Sequence, residues 1–337
     1  PYKLIAEDVR GEHPTFLNNL PEKNRPDLVT FFSSDGFFQL VVPFSHFSTT
    51  IQIVNRNNRT ADRLIAESLA MEERLARDAG ALGFMTRAMT LATLPHRAVQ
   101  GPFFTRRNGN FTMTMSASDP NIALPYGAIP RLVLAWICTE VVRTQERDLA
   151  LGDSMSAFMR ELGMLPTGGR WGTIPRLKSQ VKRLFSCHIS ASYDDPEKTI
   201  LQGHRIADRA ILWWEAPPDQ KTIWNSTVRL SEPFYDEVLA HPIPVDVRAL
   251  RALKKSPLAL DAYVWLTYRM SYLDRPTTIP WKALRLQFGS DYTRVRDFKT
   301  YFLQALQKVQ VVYPNLRLDT DEKGLTLKPS PTHILPG

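Results

Sequence analysis

The chain has 337 residues, 43% of them hydrophobic, and a formal net charge of +8. No apolar run approaches the roughly 20 residues of a membrane helix, and the N-terminal residues lack the apolar core of a secretory signal. The sequence therefore excludes a membrane-spanning protein and predicts a cytoplasmic one. Its length suits about two domains, and its positive charge favours an anionic partner.

The first part of the chain combines an extended segment with one helix. Prolines punctuate residues 1–60, and the apolar segments Phe31–Phe32 and Phe37–Val42 predict extended structure. A helix is predicted from Ala61 to about Ala79, with Gly80 near its end. Core packing is the simpler role for its apolar side and dimerisation the alternative; that side carries Leu64, Ile65, Leu69 and Leu75.

Residues 102–117 switch to a strand pattern, with alternating apolar residues from Phe111 to Met115. Asn108-Gly109 supplies the left-handed residues of a tight hairpin turn. Arg106 and Arg107 flank that turn. They are candidates for contact with a DNA backbone, although solvated charges are commoner beside hairpins.

A weak internal duplication organises the rest of the chain. Each copy opens with a proline-led helix that contains a tryptophan, Ile129–Trp136 in the first copy and Ser256–Trp265 in the second. A short helix stopped by glycine, a longer amphipathic helix and a β-type segment follow: Ser154–Gly163, Ile174–Phe185 and Cys187–Tyr193 in the first copy, and Thr278–Gly289, Ser290–Gln310 and Val311–Leu318 in the second. This order is that of a winged helix, whose third helix reads the major groove.

The pattern predicts an α+β protein with two tandem winged-helix domains. The predicted ranges are an extended segment at 1–60, a first winged-helix domain at 61–245, a second at 246–330 and a tail at 331–337. The first domain would also hold the dimerisation-type helix and the hairpins.

The third helix of the first copy is the main candidate for reading DNA. No Asp or Glu lies between Gly163 and Tyr193. A stretch whose charged residues are all positive favours a phosphate-facing surface over a solvated face. Its apolar stripe leaves a polar face outward, with Thr173 as the predicted N-cap. Arg176 and Arg183 are predicted to read bases because arginine bonds a guanine edge bidentately. The candidate contacts are Arg170, Thr173, Arg176, Lys178, Ser179, Lys182 and Arg183.

The third helix of the second copy has a more mixed outer face, which suits base reading and a hydrated surface equally. Its predicted inner stripe runs from Val295 through Phe298 and Phe302 to Val309. The candidate contacts are Thr293, Arg294, Arg296 and Thr300, with Lys282 and Arg285 reaching phosphates from the preceding short helix. A basic linker helix between the copies is predicted to be solvated, with DNA contact as the alternative; its charges are Arg248, Arg251, Lys254 and Lys255.

No catalytic constellation stands out. Thr167–Gly172 has glycines but lacks the lysine and hydroxyl of a phosphate loop, so it predicts a turn. The seven histidines are scattered singly, and Asp194-Asp195 lies in an apparent turn beside Pro196. Cys138 and Cys187 have no metal-ligand spacing and predict buried core residues. A protein without enzymatic activity, metal or other cofactor is therefore expected.

Three segments of the first copy carry a family resemblance: Gly127–Trp136, Met155–Gly163 and Gly172–Gln180. They resemble the plasmid-encoded RepA replication initiators, and the similarity extends over roughly residues 60–330. The resemblance implies binding to repeated origin sites (iterons), local opening of the duplex, and recruitment of the host initiator and helicase. It also implies a homodimer that represses or is inactive and a monomer that acts at the origin. A transcriptional repressor of the same fold is the alternative function, and a DNA-nicking relaxase is a less favoured one.

Overall fold

The computed structural model describes residues 27–33, 36–42, 59–72, 75–212, 226–289 and 292–334. It divides the chain into two compact units, residues 1–62 and 63–337. In the first unit, β1 (Asp27–Ser33) and β2 (Gly36–Val42) pair as an antiparallel hairpin. Both strands cover the apolar segments for which extended structure is predicted. No helix of the described residues is long and apolar enough to cross a membrane.

The first helix is shorter than predicted. α1 spans Arg59–Glu72, and residues from Leu75 to Gly80 form separate turns. Gly80 adopts a left-handed φ of 62°, and Ala81 N–H donates to the Ala76 carbonyl at 2.7 Å, so the predicted glycine stop closes a turn and not a continuous helix. Leu75 and Ile65, predicted to face the core, are 55% and 42% exposed. Leu64 is buried as predicted, and the side chain of Leu69 lies outside the described residues.

A four-stranded antiparallel sheet combines two strands that precede the first copy in the chain with two strands that are inserted within it. Its strand order is β4-β5-β7-β8, and its strands are β4 (Phe103–Asn108), β5 (Phe111–Ala117), β7 (Cys187–Asp194) and β8 (Thr199–Arg205). Gly109 turns the predicted β4–β5 hairpin with a φ of 59°. Arg106 is fully buried, with its guanidinium 4.6 Å from the Phe104 ring, so it cannot touch DNA. Arg107 is exposed.

The first copy is built around a helix that is buried on most sides. Its elements are α3 (Ala128–Thr144), β6 (Asp148–Ala150), α4 (Met155–Glu161), α5 (Thr173–Ser186), β9 (Ala207–Ile211) and β10 (Thr227–Leu230). Because α3 is apolar almost all round, it packs as a core helix and not as an amphipathic surface helix. Gly163, with a φ of 68°, ends α4 as predicted. The small sheet has the order β6-β10-β9, and the β7–β8 hairpin is inserted in the chain between α5 and β9.

Further elements pack between and beside the copies. β3 (Leu82–Thr86) pairs with β11 (Pro242–Asp246), although the two strands lie far apart in the sequence. The remaining elements of this layer are α2 (Arg87–Leu91), α6 (Glu232–Ala240) and α7 (Val247–Leu253). The segment between the copies is therefore a packed part of the core and not a free linker.

The second copy repeats the order of the first. Its elements are α8 (Pro257–Met270), β12 (Thr277–Pro280), α9 (Trp281–Phe288), α10 (Val295–Val312), β13 (Leu318–Thr320) and β14 (Gly324–Leu327). The sheet order is β12-β14-β13, so in both copies the last strand lies in the middle. Trp136 contacts Phe158 and Trp265 contacts Phe288 edge-on, at ring distances of 5.0 and 5.2 Å. The α+β class is thus confirmed, and the duplication extends to topology and core packing.

Three predicted boundaries of the second copy are wrong. The short helix begins at Trp281 and not at Thr278, because Thr277–Pro280 is rich in β-branched residues and pairs with β14. α10 begins at Val295 and not at Ser290, which lies outside the described residues; before the helix, Tyr292 N–H donates to the Gly289 carbonyl. It also continues through Val311 to Val312, whose side chain is buried one turn beyond Val309.

The C-terminal segment returns to the core of the second copy. The ring of His333 lies between Tyr263 and Tyr313, at ring distances of 5.5 and 4.8 Å. The Tyr263 hydroxyl accepts from Asp246 N–H and lies 2.7 Å from His333 Nδ1, to which it donates when the imidazole is neutral. Part of the predicted tail at 331–337 is therefore a packed structural element.

Acidification is expected to destabilise the protein partly through His333. Burial lowers the pKa of His333 below its ordinary value of 6.5, while Asp246 raises this pKa and Arg248 lowers it. Below about pH 6.5 the unfolded chain binds more protons than the folded chain, so the free energy of unfolding falls as the pH falls. Urea unfolding at about pH 7.5 and about pH 5.5 should show a smaller loss of stability in His333→Gln than in the wild type. Equal losses in the two proteins would remove His333 from the explanation.

Candidate nucleic-acid interface

α5 presents one apolar face to the core and one basic face to solvent. Leu177, Val181 and Leu184 are at most 2% exposed, which confirms the predicted inner stripe. Arg176, Ser179 and Lys182 are exposed, and Lys178 is half-buried at the flank. The structure therefore brings these four predicted residues together on one outer surface of the helix.

Arg183 differs from the other predicted residues of α5. Its side chain is half-buried, Nη1 donates to the Leu124 carbonyl at 3.4 Å, and the guanidinium lies 5.3 Å from the Tyr126 ring. An arginine held against its own protein is a poor candidate for a base reader. The structure therefore favours Arg176 over Arg183 in that role.

The loop before α5 is ordered by two threonines. Thr173 is not the N-cap: the cap is Gly172, and Thr173 Oγ1 donates to the Leu165 carbonyl at 2.5 Å and accepts from Thr167 N–H at 2.9 Å. In return, Thr167 Oγ1 accepts from Thr173 N–H at 2.9 Å. The hydroxyl of Thr173 is therefore engaged in closing the loop. The predicted turn at 167–172 is confirmed.

Arg170 and Trp171 project from this loop beside the start of α5. The Arg170 guanidinium lies 5.1 Å from the Trp171 ring, which is 83% exposed. The sequence pattern predicts Arg170 as a contact but treats Trp171 only as part of a turn. Trp171 directly follows Arg170 in a stretch without acidic residues, and this adjacency is the sequence signal that could have singled it out.

The second copy presents a smaller exposed set. Thr293, Arg294 and Arg296 are exposed around the N-terminus of α10, and Lys282 is exposed on α9. Thr300 is exposed and its hydroxyl donates to the Arg296 carbonyl at 3.1 Å, one turn back along the helix. The predicted inner stripe is confirmed at Phe298, Phe302, Leu306 and Val309, whereas Val295 is 37% exposed.

Arg285 has a structural role in place of the predicted phosphate contact. Its Nη1 donates to the carbonyls of Tyr292 and Thr293, at 2.8 and 3.2 Å, and so holds the turn between α9 and α10. Lys299, which the sequence pattern does not single out, donates to the Asp321 carbonyl at 2.8 Å and lies 4.9 Å from the Trp281 ring. Both cations therefore position backbone near α10.

Comparison with known proteins gives one family match. The family model described as plasmid encoded RepA protein matches residues 124–282. Residues 124–282, called the RepA region below, are similar to the plasmid-encoded RepA family. The resemblance to RepA replication initiators that the motifs predict is therefore confirmed. The RepA region includes α3, α5 and α8 and ends before α10.

No curated protein matches the chain. Two crystal structures of RctB domains 2 and 3, one of them a selenomethionine derivative, are similar to the chain over 72% of its length and 96% of theirs. The TM-scores are 0.49 and 0.45, with 11% and 12% identical residues.

The basic helix α7 of the RepA region directs its charges inward. Arg248 pairs with Asp246 at 2.7 Å, and Arg251 Nη2 donates to the Glu161 carbonyl at 2.6 Å. Lys254 donates to the Gly163 carbonyl, and burial lowers the pKa of this lysine. Arg251 and Lys254 thus bond carbonyl groups at the C-terminal end of α4, and Arg248 pairs with the residue that caps its own helix. These three side chains have partners within the protein, which fits neither a solvated face nor a DNA contact. Lys255 is exposed.

The described part of the RepA region and its flanks contains no group of three or more potential metal-ligating side chains. Asp195 lies in a turn, where its carboxylate accepts from the N–H groups of Glu197 and Lys198 at 2.9 Å. Cys138 and Cys187 are buried as predicted, and burial raises the pKa of each thiol to about 12. The absence of enzymatic activity stays a prediction.

Proposed function

We propose that this protein is a sequence-specific double-stranded DNA-binding plasmid replication initiator that recognises iterons and promotes origin opening in the bacterial cytoplasm. One observation carries the proposal. Within the RepA region, α5 exposes Arg176, Ser179 and Lys182 along one face, in a stretch from 163 to 193 without an acidic residue. A face of this composition suits phosphate contacts along its length and base contacts at its centre.

We also propose that each copy is a winged-helix unit. In each, three helices are followed by two strands of a small sheet, in the first copy only after the β7–β8 hairpin, and the last strand lies between the other two strands of that sheet. α5 and α10 occupy the place of the recognition helix, and the β13–β14 turn that Lys299 and Trp281 hold occupies the place of a wing. In this arrangement Arg176 reads a base, while Lys178, Lys182 and Arg170 bind phosphates.

The second copy would contribute fewer contacts. Arg294 and Lys282 are placed for the backbone, and Arg296, Thr293 and Thr300 for base edges. By family resemblance, the further partners are the host initiator and helicase and a second copy of the chain. The role requires no cofactor and no catalytic step by this chain.

The first experiment is selection of bound duplexes from a randomised pool of about 30 base pairs. We expect one asymmetric site of about two helical turns to be enriched. Binding that is strongly salt-sensitive but enriches no sequence would contradict the proposal. Permanganate reacts with unpaired thymines, so reactivity near a bound site would indicate duplex opening and favour an initiator over a repressor. Nicking of supercoiled DNA in the presence of magnesium would support the relaxase alternative.

Arg176→Ala is expected to weaken binding to the selected site by about 1–3 kcal/mol and to relax specificity at one base position. Lys182→Ala should weaken binding to all sequences and lower the slope of log K against log salt by about 0.9, because one phosphate contact is lost. Arg143→Ala is the control, since Arg143 is exposed but already paired with Glu140. Equal effects of all three changes would show that only net charge matters.

A further inference from the structure

Two short segments together contact α5 on one side and, on the other side, α9 and the residue Tyr292 that precedes α10. We call residues 93–97 and 124–127 together the connector. The two segments are joined by a hydrogen bond, in which Gly127 N–H donates to the Pro95 carbonyl at 3.0 Å. The connector therefore behaves as one element and not as two independent loops.

A buried arginine holds the connector to both copies. Arg131, on α3, is 5% exposed and uses all five of its guanidinium hydrogens. Two bonds, of 2.6 and 2.7 Å, go to the two carboxylate oxygens of Asp261 on α8. The other three go to the carbonyls of Leu94, Pro95 and Gly127, at 2.7, 3.2 and 2.6 Å.

The charge of Asp261 is maintained inside the core. His96 Nε2, at the end of the connector, lies 2.7 Å from Asp261 Oδ2. Burial alone would raise the pKa of Asp261, but Arg131 and His96 lower it more, so the carboxyl stays ionised. Burial also lowers the pKa of His96. A bidentate arginine–carboxylate pair of this kind fixes orientation as well as distance.

One side of the connector contacts α5. Gln180 Oε1, on the buried face of α5, accepts from Tyr126 N–H at 2.8 Å. Arg183 donates to the Leu124 carbonyl and lies over the Tyr126 ring. Arg183, which is a poor candidate for reading bases, thus joins α5 to the connector.

The other side of the connector contacts the turn before α10. Thr93 donates to the Gln287 carbonyl at 3.4 Å, and the Arg97 guanidinium lies 5.9 Å from the Tyr292 ring. Tyr292 in turn packs on Phe298 and Tyr301 of α10, at ring distances of 5.8 and 5.6 Å. Described contacts therefore run without interruption from α5 to α10.

We propose that the connector and the Arg131–Asp261 pair fix the spacing and the rotation of α5 and α10, so that the protein accepts only one spacing between its two half-sites. This inference rests on the proposed binding of DNA by both helices. Arg131 and Asp261 are positioning residues: they are buried and do not touch DNA. Two modules on a flexible linker would instead accept several spacings.

The test uses the wild-type protein and the selected site with base pairs inserted between its halves. One inserted pair turns the second half by roughly 35° and moves it by about 3.4 Å. We expect one or two inserted pairs to weaken binding at least about tenfold, to the level of a single half-site. Ten inserted pairs restore the rotation but not the distance, so we expect no recovery. Tolerance of one pair, or recovery at ten, would overturn the inference.

A variant separates positioning from general destabilisation. Arg131→Lys keeps the charge but loses the bidentate bond, and its three N–H groups cannot replace the five hydrogen bonds of the arginine. We expect the affinity ratio between the selected spacing and the one-pair insertion to fall at least about threefold towards one, because looser helices select spacing less sharply. Arg147→Lys, at the Arg147–Asp208 pair, whose side chains are 27% and 52% exposed, is the matched control. An unchanged ratio in a folded Arg131→Lys protein would overturn the inference.

The outcomes also separate this inference from the proposed function. Enrichment of a specific site whose halves occur at variable spacing would leave the function standing and overturn only the fixed spacing. Enrichment of a single half-site would do the same, since α10 would then read no sequence. Failure to enrich any sequence would overturn both.

Discussion

Asp261→Ala is expected to lower the free energy of unfolding by about 3–5 kcal/mol, the largest effect of any single change considered. The substitution leaves Arg131 charged, 5% exposed and without a counter-ion. His96 loses its partner at the same time, and its Nδ1 is already buried without a hydrogen bond in the described structure. Urea unfolding monitored by circular dichroism would measure the loss.

Asp208→Ala is the control for this change. Asp208 also pairs with an arginine, Arg147, at 2.6 Å, but its side chain is 52% exposed. Exposed pairs contribute about 0–1 kcal/mol, so the control should be close to the wild type. Replacing both buried partners, as Arg131→Met with Asp261→Leu, should recover part of the stability because no charge is then left uncompensated. Similar stabilities of Asp261→Ala and Asp208→Ala would show that the buried pair contributes no more than an exposed one.

Gly172→Ala is expected to destabilise the protein by about 1–3 kcal/mol and to weaken DNA binding. A Cβ at Gly172 would overlap the carbonyl oxygens of Thr167 and Gly168. These are backbone atoms of the loop that the Thr167 and Thr173 hydroxyls close, so the loop must open to admit a methyl group. Opening it would displace Arg170 and the first turn of α5.

Gly168→Ala makes the same change in the same loop with the opposite steric result. No atom lies within 4 Å of a Cβ built at Gly168, and its backbone is not left-handed. Alanine there removes freedom from the unfolded chain, so stability should be unchanged or raised by up to about 1 kcal/mol. Equal behaviour of the two variants, in unfolding and in DNA binding, would contradict the role given to the loop.

The sequence predicts the elements best where one periodic face is buried. The apolar stripe of α5 and the glycine stop at Gly163 depend on local spacing, which a single sequence displays directly. The start of α10 is misplaced because its polar first turn carries little periodic signal. The start of α9 is misplaced because Thr277–Pro280 pairs with a strand some fifty residues away, which is a tertiary effect.

The candidate site is predicted less well than the fold, because side-chain partners come from distant segments. Arg183 is placed on the outer face by periodicity, yet its partners at Leu124 and Tyr126 are not visible from helical spacing. The same applies to Arg285, whose guanidinium donates to the carbonyls of Tyr292 and Thr293. An outward position on a helix therefore indicates exposure, but it does not show whether a cation is available to a ligand.

The junction of α5 with the four-stranded sheet limits how base specificity can be changed. α5 ends at Ser186 and β7 begins at Cys187, so no loop separates the helix from a strand that is paired on both edges. A grafted helix one residue longer or shorter would shift the alternation of β7 and turn its buried residues to the other face. New specificities are therefore accessible by substitution at the exposed positions of α5, whereas exchange of the helix as a cassette must preserve its length to the residue.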